Sequence, residues 1–497
     1  MKKILAVAVL SALASVSYAE DKTMSTDIVV IGQGAAGTAA AFAAAELGAK
    51  VIGLEAQGLV GGTGKFSEGI FAVESQMQRD MNYNLTRDEA FQTIMRYGHW
   101  RGNAKMVRAF VDKSADTVDW MKKHGVKFEK LFSNYPGGLY TWHIYEGRGA
   151  GWINALQKKG KEAYGMNVLL NTRATDLLMK DGKVAGVIAT DRKTGDKLTI
   201  NSKAVIIASG GFGANPEMMK KYQRFPGVDG LMQTDKVGDG INMAWKAGAG
   251  EEGVGVQASY RPGPKGVATT NHVAATAKQP HLWLTPQGQR FCDETIMLDW
   301  PFAGNALERI GGQMWVTYDA RNLEDMVSGR GIDLGVGVMV PVSTKLTKFH
   351  EEFKDAEAKG WAVKADTLDE LAKKTGMDPK ILKATVAEYN KFCEIRHDGQ
   401  FAKRPEYLKE VKTGPFYAIK SVAASLGTLG GIKANERFQV VTKDEKPIDN
   451  LYAAGNDVGG MYGDSYDLLM AGSTIGFAVN SGRIAAESAV KDKGIAK

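Results

Sequence analysis

Cysteine is nearly missing from this chain, whose 497 residues hold only Cys292 and Cys393. Two cysteines so far apart make no disulfide framework and read as unpaired thiols. No Cys-x-x-Cys-His occurs, so the chain carries no c-type haem of its own. Its seven histidines fall at no ligand spacing with cysteines or acids, and no metal site is expected. No apolar run beyond the N-terminus reaches the length of a membrane span, so no stable membrane insertion is expected. Charge is slight too. The formal value is +7, of which Lys2 and Lys3 supply two, leaving +5 on the rest. No basic run is interleaved with aromatics, and nucleic acid is not expected as a partner.

The N-terminus carries a short basic start (Met1, Lys2, Lys3), an apolar stretch from Ile4 to Leu13, and small residues at Ser17 to Ala19. This is the pattern of a cleaved signal peptide over residues 1–19, too short to span a bilayer stably. It predicts an exported protein, most simply a periplasmic one. The length leaves room for two or three domains and a large core.

The most informative stretch runs from Asp27 to Glu55. An apolar strand, Ile28 to Ile31, meets Gly32, Gly34 and Gly37, and an alanine-rich helix follows. A second apolar strand then ends on Glu55. Gly32 suits a tight turn, Gly34 a close approach of backbone to a pyrophosphate, and Gly37 close packing of helix on strand. The helix N-terminus offers unpaired amides to phosphates, and an acid at Glu55 can accept ribose hydroxyls. Strand, glycines, helix, strand and acid in this order predict dinucleotide binding.

Further glycine segments follow. Gly61, Gly62, Thr63 and Gly64 suit backbone packed against a flat or phosphorylated ligand. Arg87 to Gly125 shows helical apolar spacing at Met106, Phe110, Val118 and Met121. Turns at Asp181-Gly182 and Thr194-Gly195 separate strands at Leu177–Met179, Val184–Ala189 and Leu198–Ile200. A strand from Ala204 to Ala208 then enters Ser209-Gly210-Gly211. From about Gln257 to Lys412 the chain reads as a separate unit. It contains a capping box at Thr367 and Glu370, a helix stop at Gly376, and a proline-led helix after Asp378. Strand and glycine character returns at Leu426, and the final pieces are Asn450–Asn456 and Ala471–Gly476, followed by a helix to about Val490. The reading is an α/β protein: a discontinuous Rossmann-like domain (26–256 and 413–497) interrupted by an inserted α+β unit (257–412).

Taken together, Gly32–Gly37, Gly61–Lys65, Ala208–Gly213, Gly238-Asp239-Gly240 and Leu451–Gly455 resemble the flavoproteins of the fumarate reductase and succinate dehydrogenase superfamily. Within it the chain looks most like the exported flavocytochrome c-type fumarate and urocanate reductases, with 3-ketosteroid dehydrogenases more distant. The resemblance spans nearly all of the chain after the leader. It implies FAD and a mobile clamp domain over the flavin ring. It also carries cofactor contacts onto Ala36, Ala208, Gly210, Gly211, Asp239, Gly455, Asn456, Gly472, Ser473 and Ile475, beside the glycines and Glu55 already named.

The catalytic positions depart from that family. Where fumarate reductases hold a proton-donating arginine directly before an aspartate, this chain has Leu298 before Asp299. Ser259 and Gly427 stand where substrate histidines are expected, and the family's C-terminal substrate arginine has no clear equivalent. Fumarate chemistry is therefore not implied, although the flavin is. Tyr466 and Tyr462, just before the flavin-contacting Ala471-Gly472 segment, can donate a proton or polarise a carbonyl given a lowered effective pKa. Arg261 at the clamp entrance and Arg148 in a loop near the flavin can pair with a carboxylate. Arg290, Glu294 and Asp299 read as structural, holding clamp and flavin domain together. With Tyr260, Tyr462, Tyr466, Trp142 and Trp283 available, the leading expectation is reduction of an α,β-unsaturated, bulky or aromatic acrylate-like acid. Electrons would come from a separate c-type cytochrome or a quinol-linked donor. A ketosteroid-type dehydrogenase and a flavin-binding electron carrier without substrate chemistry are the alternatives.

Overall fold

The structure, a computed structural model, describes residues 21–133, 138–223, 229–230, 235–336 and 340–495. The expected leader at 1–19 lies outside these residues.

The first strand, Asp21–Ile31, lies at the centre of an eight-stranded sheet. It pairs in parallel with Val51–Leu54 on one side, Ile28 opposite Val51, and with Lys197–Ile207 on the other, Ile28 opposite Ala204. Pro447–Ala453 adds a further parallel strand beyond the C-terminal half of Lys197–Ile207. The N-terminal half of that strand instead pairs antiparallel with Lys183–Asp191, which pairs with Thr172–Lys180. Leu198–Ile200 and Ala204–Ala208, separate strands in the sequence reading, are thus one continuous strand. The polar link Asn201–Lys203 stays extended because Ser25 and Thr26 continue the ladder beside it.

The helix Ala35–Glu46 is buried along nearly its whole length. Its run of alanines lets two other helices come close, Arg148–Tyr164 on one side and Ser473–Asp492 on the other. A Cβ on Gly482 of the C-terminal helix would lie 2.4 Å from the Ala36 carbonyl oxygen. Backbone spacing of this kind is what small side chains permit, and packing at interior density removes room for larger ones. Arg87–Tyr97 and Ala104–Lys123 are the helices read from periodicity, and Met106, Phe110, Val118 and Met121 are all buried.

The inserted unit has its own sheet. Gln257–Gly263, Gln313–Asp319 and Ala362–Ala365 each pair antiparallel with one long strand, Phe416–Thr428. A return to the cofactor domain at 413, as the sequence predicts, would place that strand in the first domain. Its partners all lie in the second sheet, and they include Asp229–Gly230 from the 26–256 segment, which pairs with it in parallel. The crossing of chains is set by pairings between residues far apart in the chain, which local composition does not carry.

Thr367 caps its helix as expected, accepting the Glu370 amide at 3.2 Å. The Glu370 carboxylate reaches the amide of Asp366 rather than that of Thr367, so only half of the capping box forms. Gly376 takes the left-handed conformation at the helix end, and Asp378 caps the next helix with Pro379 in its first turn. Arg290 makes buried ion pairs to Glu294 at 2.8 Å and Asp398 at 2.7 Å, with Lys403 3.1 Å from Glu294. These four residues all belong to the inserted unit. Arg290 and Glu294 hold that unit to itself and do not bridge the domains as expected. Among the described residues no helix is long and apolar enough to cross a membrane. Cys292 and Cys393 are both free.

Candidate active site

A cavity of about 410 Å³ lies where the C-terminal ends of the parallel strands meet the inserted unit. Its floor is built from the glycine turns. Gly32 leaves the first strand at φ +89°, where a Cβ would stand 2.4 Å from the Ala208 carbonyl oxygen. At Gly37 a Cβ would sit 1.8 Å from the Gly32 carbonyl oxygen, so this glycine serves packing and does not line the cavity. Gly34 is different. A Cβ there would meet nothing nearer than 3.9 Å, and the residue faces the cavity with Gly32, Ala35 and Ala36. Here the helix Ala35–Glu46 begins, and its unpaired first-turn amides and positive end favour an anion.

Glu55 lies at the other side of this turn, buried, with its two carboxylate oxygens accepting the amides of Gln33 and Gln57 at 2.9 Å each. Burial pushes its carboxyl above the usual range, while the two amides pull the other way. Ordered by those bonds and lining the cavity, it keeps lone pairs for a hydroxyl ligand.

The second glycine turn contributes Gly62, Thr63 and Gly64 to the wall, whereas Gly61 sits behind them in a left-handed conformation. Over Thr63 lies Lys236, whose ammonium donates to the threonine hydroxyl at 2.8 Å. Burial lowers this lysine to about 8. Nothing in the local sequence marks Lys236, and only the fold brings it to Thr63.

The third turn depends on an acid equally invisible in sequence. Asp457 is wholly buried and accepts the amides of Gly210 at 3.0 Å and Gly211 at 2.8 Å, together with the Ser209 hydroxyl at 3.0 Å. Gly210 and Ala208 line the cavity, and Gly211 lies behind, where a Cβ would strike the Thr428 hydroxyl at 2.3 Å. Asp239 also lines the cavity, held by Arg173 at 2.8 Å. Gly455, Asn456, Gly472 and Ile475 complete this side. Gly472 turns the chain at φ +83° into the helix Ser473–Asp492, while Ser473 itself is buried away from the cavity.

The facing wall comes mainly from the inserted unit. Tyr260 and Trp300 lie edge to face with centroids 5.0 Å apart, beside Val336 and Leu426. Trp142 and Tyr466 join them from the first domain, and the Trp142 indole N–H is buried without a hydrogen-bond partner. Trp300, not Trp283, is the clamp tryptophan in the cavity. Trp283 is fully buried in the core of the inserted unit, its ring nitrogen donating to the Gln279 carbonyl.

The four predicted catalytic residues separate. Tyr466 lines the cavity, its hydroxyl 3.4 Å from that of Thr474, another lining residue. Arg148 lines the cavity at an exposed position, where its helix begins. Tyr462 lies behind the wall, its hydroxyl 3.1 Å from that of Ser473. Arg261 is buried and outside the cavity lining. Its guanidinium stacks 3.6 Å from the Trp300 ring centroid and donates to the Gly335 carbonyl at 2.8 Å, so it holds the tryptophan from behind. Leu298 packs against the core of the inserted unit, and Ser259 donates to Glu308.

Glycine turns, two helix N-termini, an ordered acid at the end of the second strand and a buried lysine fit the flavin dinucleotide that the resemblance implies. The orphaned Trp142 N–H supplies a donor for a ring acceptor.

Comparison with known proteins agrees. The profile described as FAD binding domain matches residues 27–469. A vinyl phenol reductase of Lactiplantibacillus plantarum is 35% identical over 472 residues, covering 92% of this chain and 95% of that protein. An NADH:fumarate oxidoreductase of Klebsiella pneumoniae is 28% identical, covering 94% of this chain and 48% of that longer protein. Among solved structures, the open conformation of a flavocytochrome c3 fumarate reductase matches with a TM-score of 0.71 at 26% identity. That match covers 95% of this chain and 79% of the other.

Proposed function

The chain belongs to the FAD binding domain family and is an FAD-dependent oxidoreductase acting on CH–CH bonds; from that premise we propose that it reduces the activated C=C bond of a bulky, aromatic, acrylate-like compound. The observation that carries the reading is the wall opposite the glycine turns. Tyr260, Trp300, Trp142 and Tyr466 offer flat apolar surface with few polar groups, which suits an aromatic ring better than a small dicarboxylate. The 35% identity to a vinyl phenol reductase across nearly all of both chains supports the aromatic part of this reading, a C=C bond beside a ring.

Bound and reduced, FAD supplies the hydride for the β-carbon. The chain's own residues do the rest. Tyr466 is the acid because its side chain reaches the cavity; burial raises its hydroxyl above the ordinary value, opposite to the lowering expected, which keeps it protonated but makes it a weaker donor. It gives its proton to the α-carbon as the hydride arrives. Arg148, exposed at the cavity, meets the carboxylate of an acid substrate. Arg261 acts as a positioning residue through Trp300. Electrons reach the cofactor from a separate c-type cytochrome or a quinol-linked donor, and the leader-like residues 1–19 support a place outside the cytoplasm.

The test is anaerobic turnover with reduced viologen against a panel of enoates and vinylphenols. Aromatic members should be reduced, and Tyr466→Phe should lower kcat by roughly a hundredfold or more, as expected for loss of a general acid. Turnover confined to fumarate, or unchanged in that variant, would sink the reading.

A further inference from the structure

Behind Tyr466 lies a second, much smaller cavity, of about 10 Å³, lined by Tyr97, Tyr462, Ser465 and Asp467 among others. Its size is that of one water molecule, and its polar rim offers such a water several partners. Asp467 is 2% exposed. One of its oxygens accepts the amide of Leu469 at 2.8 Å, and the other, Oδ2, is buried with no hydrogen-bond partner. A buried, unpartnered carboxylate oxygen in the wall of a water-sized space calls for a proton or a water.

The space has a connection on each side. Outward, Tyr97 donates to Asp299 at 3.1 Å, and Asp299 is partly open to solvent. Inward, the Tyr462 hydroxyl is 3.1 Å from Ser473 Oγ, which donates to the Asp467 carbonyl oxygen at 3.2 Å and also interacts with the Tyr466 hydroxyl. The titratable groups around Asp467 are Asp299, Tyr97, Tyr462 and Tyr466. No lysine, arginine or histidine among the described residues pairs with its carboxylate. His99 and Arg101 instead pair with Asp464, at 3.3 and 3.9 Å.

We propose that Asp299, Tyr97 and Asp467, joined through one water in this cavity, form a proton relay that recharges Tyr466 by way of Tyr462 and Ser473. The inference rests on the reading of Tyr466 as the acid. In each turnover the Tyr466 O–H bond breaks as a C–H bond forms on the substrate. The tyrosinate takes the Ser473 proton, Ser473 takes that of Tyr462, and Tyr462 is restored from Asp467 through the water. Asp467 then draws on Tyr97, Tyr97 on Asp299, and Asp299 on solvent. No electrons move along this path, since the hydride carries its own pair. The groups have the chemistry for it: burial brings Asp467 to about 7 and Asp299 to about 6, so each holds and releases a proton near neutrality.

The test pairs spectroscopy with kinetics on the FAD-loaded protein. Infrared titration of the wild type should show a buried carboxyl losing its proton near pH 7, and Asp467→Asn should lack it. Turnover of the wild type with reduced viologen and an aromatic enoate should fall as pH rises through about 7. Asp467→Asn and Tyr97→Phe should lose that limb and about tenfold or more in kcat, with KM and FAD content nearly unchanged. Variants that fold, hold FAD and keep both wild-type kcat and pH profile would overturn the relay, as would a wild type with no such carboxyl. A wild type that shows the carboxyl yet reduces no unsaturated compound would overturn the proposed reaction, and the relay's part in it.

Discussion

The Asp457 carboxylate accepts the Gly211 amide at 2.8 Å, tying the C-terminal segment to the glycine turn that follows Ile207. Its second oxygen takes the neighbouring Gly210 amide at 3.0 Å. The turn therefore presents its cavity side already ordered.

Asp457→Asn should weaken FAD binding without abolishing the fold. The variant loses one acceptor for two amides, and a charge-assisted hydrogen bond contributes about 1.5–3 kcal/mol. Affinity should fall by roughly tenfold or more. Titration of the apoprotein with FAD by flavin fluorescence measures it.

Two glycines in one motif should respond differently to alanine. Gly37→Ala puts a Cβ 1.8 Å from a backbone oxygen, which must cost stability, on the order of 1–3 kcal/mol or more. Gly34 has φ −73° and open space where a Cβ would go, so Gly34→Ala should unfold like the wild type. Its loss should appear in FAD affinity, because the new methyl projects toward the cavity. Urea unfolding and flavin titration separate the two outcomes.

Lys236 gives a pH signature to cofactor binding. Its ammonium sits at about 8 in the cavity, so it is charged below that pH and neutral above. An anionic pyrophosphate favours the charged form, and FAD affinity should decline as pH rises through about 8. Lys236→Met should bind FAD more weakly at pH 7 and lose this slope. Flavin titrations at several pH values check both points.

Arg290→Met should destabilise the inserted unit selectively. Removing the guanidinium leaves Glu294 and Asp398 buried with less compensation, a change that typically costs about 3–5 kcal/mol. Limited proteolysis should cut the inserted unit first, while FAD stays bound to the first domain.

What the sequence made legible was local. The strand, three glycines, helix and Glu55 occupy one continuous stretch, and their spacing alone implies the turn they form. The residues that escaped reading act across long separations. Asp457 and Lys236 reach their partners Gly211 and Thr63 only after the sheet has assembled, and nothing near them in the chain marks either one. Phe416–Thr428 looks like any strand, and its place in the second sheet depends on Gln313–Asp319 and Gln257–Gly263. Trp300 and Trp283 have the same chemistry, and only packing decides which one faces the cavity. Arg261 at the clamp entrance suits a substrate carboxylate by sequence, whereas in the fold its guanidinium stacks on Trp300.

The most direct test of the account is the reoxidation of the fully reduced, FAD-loaded protein, mixed anaerobically with a cinnamate-type acid, a vinylphenol or fumarate while flavin absorbance is followed. A cavity walled by Tyr260, Trp300, Trp142 and Tyr466 predicts rapid reoxidation by an aromatic compound, about tenfold or more faster than by fumarate. Faster reoxidation by fumarate, or none by any of the three, would contradict it.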